Sequence, residues 1–292
     1  MYLSKDYAAV AESAEELPEA FRLVLEDNLG NGERLQFLVY SPAFQIHALR
    51  ASATVLAVTD EAWFVLTRDE GMPMSVVTSE FEDTLLVELG VLLLHGHLKM
   101  DFTRDGEQDS VIVEFNAVMQ DLFVRAVELI LQGMEAPYAA PLVAEDGTDL
   151  LRGWPLKFVN AALNYLPAGS PVLAAVHWPT LQDGFRRELA PAGALLLTAR
   201  ELVVITGEKA PPWAKDWTLA QLGDIVIYVP LGRLTGCHVD PHRKLGVLGL
   251  EIGTRGGSEG LDILFAVEKI PEVHQLMERV LDWSPSSPML AP

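Results

Sequence analysis

The sequence predicts a mainly β protein made of two tandem copies of one fold, each closed by a C-terminal α-helix. Two observations lead to this prediction. Runs of β-branched, aromatic and aliphatic residues follow one another as short antiparallel strands would, and the 292-residue chain repeats their order at spacings of 137 to 151 residues. This length exceeds the usual domain size of about 100 to 200 residues, which also favours two domains.

The repeat is visible as identical residues in the two halves. The early pairs are 137 to 139 positions apart: Pro18 and Pro155, Phe21 and Phe158, Gly32 and Gly169, Val39 and Val176, Pro42 and Pro179, Thr59 and Thr198, Thr67 and Thr206. Later, LGVL at 89–92 matches LGRL at 231–234 at a spacing of 142, TRDG at 103–106 matches TRGG at 254–257 at 151, and Phe115 matches Phe265 at 150. Loop insertions would explain the drift, and a notable one is expected around residues 238–244.

Each copy is predicted to begin with a short helix. Pro18 and Pro155 suit a first helical turn, and Gly30 or Pro167 would end the helix. A strand that ends at proline 42 or 179 follows. A hairpin comes next in each copy. In copy one VLAVT and WFVLT flank residues 60–62, and in copy two LLLT and LVVIT flank residues 199–201. These runs have the composition of paired strands.

The second part of each copy is predicted to add further strands and a closing helix. Strands are expected at 84–94 and 225–234, and a last hairpin turns at TRDGEQDS or TRGGSEG. The closing helix has an apolar stripe, formed by Leu122, Ala126, Leu129 and Ile130 in copy one and by Val273, Leu276, Val280 and Leu281 in copy two. Each copy would therefore have about six or seven antiparallel strands, and one helix would cover an open end of the barrel that they form.

The charge of the chain lies in one half. Residues 1–150 hold 8 Lys and Arg against 27 Asp and Glu, a balance of −19, whereas residues 151–292 hold 13 against 14, a balance of −1. A strongly negative surface repels nucleic-acid phosphates and anionic lipid headgroups, so neither is expected as a partner of the first half. Two interpretations stay open: the acidity serves solubility, or it attracts a basic partner.

Other features of composition indicate a cytoplasmic protein. No apolar run approaches the ~20 residues that a transmembrane helix needs, and the acidic N-terminal segment does not have the pattern of a signal peptide. The single cysteine, Cys237, cannot form an internal disulfide, which fits a reducing compartment. We therefore expect a cytoplasmic location and no integral membrane segment.

The hairpin motifs TDEAW at 59–63 and TARELV from Thr198 resemble the strand, T-x-x-R-L, strand hairpin of bacterial pleckstrin-homology-like (PH-like) and GRAM-type domains. The later LGxL segment and the closing helix are also similar to that pattern. Two features depart from it: Ala62 and Glu201 replace the customary arginine, and each copy has an additional leading helix. The resemblance implies a partly open, seven-stranded barrel capped by a helix in each copy, with PH-like domains at 14–135 and 154–285 and a linker at 136–153. Such barrels are typically binding scaffolds and not enzymes.

A possible nucleophile motif lies at residues 256–260. The sequence GGSEG fits the G-x-S-x-G elbow of serine hydrolases, which needs a strand before the serine and a helix directly after it. The strand-like run LDILF follows instead, so a glycine-rich hairpin turn is the favoured interpretation. We predict no catalytic residue here or elsewhere in the chain.

The segment CHVDPH concentrates side chains that can bind metals. His238, Asp240 and His242 would share one face of a strand, and Cys237 is adjacent, but Pro241 would disturb that alternation. Copy one has only His95 and His97 nearby. An exposed polar loop is the favoured interpretation, and the sequence does not decide whether these side chains bind a metal; no metal or cofactor site is predicted.

Basic and aromatic residues offer two further candidate surfaces. The only local basic cluster combines Arg243 and Lys244 with His238 and His242, and other basic or polar residues occur in early loops, namely Gln45, His47 and Arg50 in copy one and Arg186 and Arg187 in copy two. Phosphoinositide binding needs several such charges, so a solvated loop is favoured. Trp213 and Trp217 could form a protein-binding surface, although packing inside their own domain is favoured.

These patterns favour a non-enzymatic interaction or scaffolding protein built of two PH-like domains, which binds a protein partner or associates with itself. Two alternatives remain: membrane-lipid headgroup binding through copy two, and an enzyme or small-ligand carrier that uses a barrel cavity. The strand segments are nearly all apolar, which disfavours a polar cavity. The sequence names neither the partner, nor the oligomeric state, nor the pathway.

Overall fold

The computed structural model describes residues 7–46, 49–134, 147–167, 169–185, 188–207 and 223–283. The chain divides into two compact units, Met1–Met134 (unit one) and Glu135–Pro292 (unit two). Antiparallel sheets make up most of the regular structure of both units, so the predicted mainly β fold class is confirmed. Among the described helices, none is both long and apolar enough to span a lipid bilayer.

Unit one consists of a five-stranded antiparallel sheet, a three-stranded group, a small hairpin and two α-helices. Its elements are β1 (Ala9–Val10), α1 (Glu19–Asn28), β2 (Leu35–Ser41), β3 (Phe44–Ile46), β4 (Leu49–Ala51), β5 (Ala53–Thr59), β6 (Ala62–Arg68), β7 (Ser75–Glu80), β8 (Thr84–Leu92), β9 (His95–Arg104), β10 (Glu107–Asn116) and α2 (Gln120–Met134). The sheet has the order β1-β2-β5-β6-β7, the group pairs β8, β9 and β10 in sequence, and β3 pairs with β4.

Unit two repeats this series from the leading helix onward. Its elements are α3 (Leu156–Tyr165), β11 (Ala174–Trp178), β12 (Leu181–Gln182), β13 (Glu188–Ala190), β14 (Gly193–Leu197), β15 (Glu201–Gly207), β16 (Asp224–Pro230), β17 (Leu234–His242), β18 (Leu245–Thr254), β19 (Gly257–Ala266) and α4 (Ile270–Trp283). Strands β11, β14, β15 and β16 pair in that order, as do β17, β18 and β19, and β12 pairs with β13. Each unit therefore has a four-strand meander, a three-strand meander and a final helix.

The first helix of each unit begins in the same way. Pro18 and Pro155 are the N-cap residues of α1 and α3, and both have φ −54° and ψ 135°. Proline holds φ near this value without using a backbone N–H, so it directs the chain into the helix. On the buried side, Phe21 and Leu25 pack into a core that includes Val55 on β5. The predicted leading helices are confirmed.

A buried threonine closes the central hairpin of each unit. The hydroxyl oxygen of Thr59 accepts a hydrogen bond from the backbone N–H of Ala62 at 2.9 Å, and that of Thr198 accepts one from Glu201 at 2.9 Å. Each hydroxyl also donates to the carbonyl oxygen of the same residue, at 3.0 and 3.1 Å. Threonine can replace turn-closing backbone bonds in this way. The predicted hairpins are confirmed, with β5 and β6 in unit one and β14 and β15 in unit two.

In the second half of each unit, corresponding residues of the two units are 150 positions apart. This spacing corrects two of the sequence matches. LGVL lies in strand β8, but residues Leu231–Arg233 of LGRL form a 3-10 turn whose counterpart is Phe81–Asp83. The final hairpins turn at residues 105–106 and 255–256, so the match at 151 is wrong by one residue. The three letters that LGVL and LGRL share therefore misled the alignment, because the two segments occur in different elements.

The insertion in unit two also lies at a different place from the one predicted. Residues 238–242 are not an inserted loop, because they belong to β17, the counterpart of β8. The spacing changes from 139 to 150 between β15 and β16, which residues 208–223 connect, whereas 69–74 connect β6 to β7. The strand predicted at 225–234 is thus β16, and it corresponds to β7 and not to β8.

Two features of the predicted barrels differ from the structure. The short strands β1, β3, β4, β12 and β13 were not expected, and the described strands form sheets that do not close on themselves. Strands of two or three residues contain too little hydrophobic pattern to be recognised, because their pairing depends on the neighbouring chain. The described strands therefore establish antiparallel sheets, and they do not form the closed sheet of a barrel.

The closing helices pack on strands of their own units. Helix α2 contacts β8 and β5, and α4 contacts β17 and β11. The ring of Phe123 on α2 stacks on Phe115 of β10 at 3.7 Å between centroids. In α2 the predicted Ala126, Leu129 and Ile130 are buried, but Leu122 is only half-buried. In α4 the predicted Val273, Leu276 and Val280 are buried; the side chain of Leu281 lies outside the described part.

Candidate functional site

The CHVDPH segment forms most of an exposed strand. His238, Asp240 and His242 alternate along β17 and are all exposed, whereas Cys237 is half-buried. Pro241 sits within the strand opposite Gly246 without ending it. Strand β17 pairs with β18 on one side in unit two, and a proline is tolerated where a strand does not need its N–H. The predicted shared face of these side chains is confirmed, and the predicted loop is wrong.

These side chains do not converge as metal ligands. The distance from His238 Nε2 to Asp240 Oδ2 is 3.9 Å, and both side chains are more than half exposed. Within the ranges that the structure describes, no group of three or more His, Cys, Asp or Glu residues is arranged to hold a metal ion. Burial raises the pKa of Cys237, as does the nearby carboxylate of Glu251. A raised pKa disfavours the thiolate that a metal or a nucleophilic reaction requires.

The G-x-S-x-G match is part of a β-hairpin. Gly256 lies in the turn, and β19 begins at Gly257 and continues through Ser258 to Ala266. No helix follows the serine directly, which is the feature that exposes the hydroxyl in a nucleophile elbow. The favoured hairpin interpretation is confirmed.

The residues considered as an alternative lipid-binding site are distributed over separate turns. Arg243 and Lys244 form the exposed turn between β17 and β18, directly after His242. In unit one, Gln45 pairs with Arg50 in the β3–β4 hairpin. Arg50 forms an exposed ion pair with Glu70 at 3.0 Å. His47, Arg186 and Arg187 lie outside the described residues.

The described tryptophans of unit two pack on their own unit. Trp178 is 2% exposed, and its indole Nε1–H donates to the carbonyl oxygen of Pro191 at 3.2 Å. The centroids of the Trp154 and His177 rings are 4.7 Å apart. Burial lowers the pKa of His177. Trp213 and Trp217, for which packing inside their own domain was favoured over a protein-binding surface, lie outside the described residues.

Charged side chains pair with one another along β8 and β9 of unit one. His97 Nε2 lies 2.9 Å from Glu88 Oε1, and the Lys99 ammonium donates to Asp101 at 2.7 Å. Asp101 is 1% exposed, and its burial raises the pKa of its carboxyl, while Lys99 partly lowers it. No motif in the sequence indicates this network, because Glu88 and His97 meet across two strands, and the burial of Asp101 beside Lys99 depends on how the sheet packs. The network consists of contacts among side chains of unit one itself.

One end of unit one exposes a group of apolar side chains, here named the unit-one tip and defined as Leu93, Leu94 and Val118. Leu93 and Leu94 form the turn between β8 and β9, and Val118 lies in the 3-10 turn Ala117–Met119 that precedes α2. The backbone N–H of Ala117 donates to the carbonyl oxygen of Leu94 at 2.9 Å, which holds the two turns together. The three side chains are 53%, 53% and 64% exposed.

The corresponding end of unit two is charged. At the spacing of 150, the counterparts of the unit-one tip are Arg243, Lys244 and Glu268. The two turns share an unusual backbone, since Leu93 has φ 56° and Arg243 has φ 58°. Arg243 and Lys244 are exposed. The same turn is thus made with charged side chains in one unit and with leucines in the other.

The leading helices show the opposite exchange. Leu156 and Leu163 on α3 are 76% and 64% exposed, and at the spacing of 137 their counterparts on α1 are Glu19 and Glu26. Glu26 is exposed and pairs with Arg22 at 2.9 Å. We name Leu156 and Leu163 the α3 surface. Each unit therefore exposes apolar side chains at a place where its counterpart carries carboxylates or other charges.

Neither apolar surface was recognised from the sequence. The α3 surface could have been found by comparing the two copies at the spacing of 137, but the unit-one tip required the spacing of 150, which the LGxL match obscured. Exposure itself cannot be read from a leucine, because it depends on how the elements pack. No protein-family model matches this chain, and no curated protein is similar enough to match it.

Proposed function

We propose that this chain is a non-enzymatic, cytoplasmic interaction protein made of two PH-like domains at 14–135 and 154–285, joined by a linker at 136–153. The order of elements supports the fold assignment: each unit has a meander of four strands, a meander of three strands and a closing helix. Seven strands and a C-terminal helix are what the resemblance to PH-like domains implies. Such folds carry many functions, so the function is argued from the surface.

The exposed apolar surfaces carry the functional proposal. The unit-one tip and the α3 surface hold leucines and a valine that are 53% to 76% exposed. The counterpart positions hold Arg, Lys or Glu, so the fold does not require apolar residues there. Contiguous exposed apolar groups on a folded domain are typical of contact surfaces. Two domains that expose different surfaces would bring two contacts together in one chain, as a scaffold does.

Three buried threonines of the described sheets have a structural role. Thr59 and Thr198 close hairpins, as described above. The hydroxyl of Thr84 accepts a hydrogen bond from the indole of Trp63 at 2.9 Å and donates to the carbonyl oxygen of Glu80 at 3.1 Å. These groups use their hydrogen-bonding capacity on the fold, which leaves them unsuited to bind a polar ligand.

The experiment compares wild-type protein with a variant in which both apolar surfaces are polar. The variant carries L93N, L94S, V118S, L156E and L163E. Tagged, full-length proteins are used for affinity purification from the native cell extract, and light scattering measures self-association over a concentration series. A partner or a self-associated species that is seen with wild type and lost in the folded variant supports the proposal. Equal results for both proteins would refute it.

Arg243 and Lys244 support the alternative of lipid-headgroup binding, since both are exposed in one turn of unit two. Two cations attract anionic lipids only weakly, by about 1 kcal/mol each near a membrane surface. Flotation with phosphoinositide-containing vesicles separates the alternatives. Lipid binding predicts co-flotation that R243S/K244S abolishes, whereas protein binding predicts no co-flotation.

A further inference from the structure

We propose that the unit-one tip is the docking point for a protein segment that carries apolar side chains flanked by lysine or arginine. This inference rests on the proposed interaction function and names the chemistry of one partner. Three observations support it: the exposure of the tip, its charged counterpart in unit two, and the acidic surroundings of the tip.

The tip is apolar without a structural need to be so. Unit two makes the same turn with Arg243, at nearly the same φ as Leu93. A positive φ is uncommon for a residue other than glycine and favours Asn or Asp among the rest. Leucine is thus neither the residue that this backbone favours nor one that packs inside, since half of its surface is exposed. Partner contact is the role that remains for it.

The tip is large enough to anchor a segment but too small for a stable interface of its own. Leu93 and Leu94 come from one turn and Val118 from another, and the hydrogen bond from Ala117 to Leu94 keeps them adjacent. A few buried apolar anchors carry most of the binding energy of an interface, and the surrounding polar residues add specificity. The surroundings of the tip therefore decide which partner fits.

Those surroundings are acidic. Asp121 is exposed in the first turn of α2, three residues after Val118. His95 directly follows Leu94, and the nearest atoms of its ring and of the Glu114 carboxylate are 3.6 Å apart. Two basic side chains of β9 and α2, Lys99 and Arg125, are already paired with carboxylates.

The net charge of the whole of unit one also favours a basic partner. Residues 1–134 hold 8 Lys and Arg against 23 Asp and Glu. Such a field attracts a basic segment from a distance and orients it on approach. It repels an anionic membrane, which argues against insertion of the leucines into a lipid surface. A basic and apolar protein segment is the partner whose chemistry complements both features.

The test uses a short fluorescent peptide of leucine and lysine with helical spacing, and full-length protein. Fluorescence anisotropy is measured at low and at physiological ionic strength. Two control peptides keep the length: one has glutamate for lysine, and the other has serine for leucine. We expect the leucine–lysine peptide to bind at least about tenfold more tightly than either control, and its affinity to fall with salt.

Protein variants locate the site. L93N/L94S/V118S removes the apolar tip without changing the net charge, and asparagine suits the positive φ at position 93. We expect at least about tenfold weaker peptide binding. D121N should weaken binding less and reduce its salt dependence. The matched control L156E/L163E, which changes the other apolar surface, should bind through the tip as wild type does.

Three results would overturn the inference: binding that is unchanged in L93N/L94S/V118S, equal binding of the glutamate peptide, or flotation of the protein with zwitterionic or anionic vesicles that requires the tip leucines. Thermal unfolding of each variant confirms that it is folded. If the extract experiment, repeated with L93N/L94S/V118S and L156E/L163E as separate variants, finds a partner that depends on the α3 surface alone, the interaction function holds and the tip inference fails. If neither experiment finds a surface-dependent partner, both fail.

Discussion

Gly96 and Gly246 occupy equivalent positions at which a side chain would collide with an aromatic ring. A Cβ at Gly96 would lie 2.2 Å from the ring of Phe115, and one at Gly246 would lie 2.5 Å from the ring of Phe265. Both phenylalanines are buried, and Phe115 stacks on the closing helix through Phe123. Glycine at these positions therefore leaves room for the phenylalanine ring, and in unit one that ring packs against the closing helix.

The substitution G246A is expected to lower the free energy of unfolding by about 1 to 3 kcal/mol, because the ring of Phe265 must move in a packed core. Denaturant unfolding measures the change. The control is G260A in the adjacent strand, where a Cβ would meet nothing within 4 Å. Equal effects of the two substitutions would show that the close approach of the Phe265 ring is not the reason why glycine occupies position 246.

The hairpin threonines provide a second test. T198V keeps the shape of the side chain but removes the hydroxyl that accepts from the Glu201 N–H at 2.9 Å. We expect a loss of about 1 to 3 kcal/mol in unfolding free energy, because a buried donor is left without its partner. T206V, a half-buried position further along β15, serves as the control, with a smaller expected loss. A chemical denaturation curve that is equal for both variants would contradict the proposed role.

Asp101 should make stability depend on pH in a defined direction. Burial raises the pKa of its carboxyl in the folded state, so the folded protein keeps this proton to a higher pH than the unfolded chain does. The contribution of Asp101 to stability is therefore present at low pH and is lost as pH rises from the usual carboxyl range through the raised pKa. D101N lacks this pH-dependent contribution. The stability of D101N relative to wild type should therefore increase as pH rises from the usual carboxyl range through the raised pKa.

Asp60 is the matched control, because its pKa is shifted in the opposite direction. Hydrogen bonds from the backbone N–H and the side chain of Arg34 lower the pKa of Asp60. Its contribution is present above the usual carboxyl range and is lost as pH falls through the lowered pKa. The stability of D60N relative to wild type should therefore decrease as pH rises. Parallel pH profiles for the two variants, measured by thermal unfolding, would contradict both assignments.

At the scale of elements, the leading helix of unit two tolerates charge on its exposed side. Helix α1 carries Glu19 and Glu26 where α3 carries Leu156 and Leu163. L156E/L163E should change the unfolding free energy by no more than about 0.5 kcal/mol per site, as is usual for exposed positions. Sedimentation velocity should show less self-association in the variant than in wild type. A large destabilisation would mean that these leucines pack within the protein.

The elements that could be predicted are those whose pattern is complete within the sequence. The hairpin threonines, the apolar faces of the helices in the described part of the chain, and the paired runs of β5 and β6 each contain their own signal. The strand β17 was missed, because Pro241 and its polar neighbours resemble a loop, and its place beside β18 decides the outcome. The unit-one tip was missed for a related reason, since nothing in LLLH shows which leucines are covered by other elements.

At the scale of the whole molecule, the two units share an order of elements but differ in their surfaces. The acidity lies in residues 1–150, and the unit-one tip and the α3 surface lie on different elements of the two units. A duplicated fold can diverge in this way, because the core residues that define the hairpins and helices are kept while exposed positions change. This divergence is the basis of the interaction function proposed here.

The shared fold is tested most directly by cross-strand nuclear Overhauser contacts in the full-length protein. The register pairs Gly90 with His97 in unit one and Asp240 with Val247, 150 residues later, in unit two. The account predicts backbone contacts between both pairs, and likewise between Asp101 and Ser110 and between Glu251 and Gly260. If residues 238–242 made no cross-strand contacts, or if the pairs in unit two were offset from this spacing, the two units would not be copies of one fold.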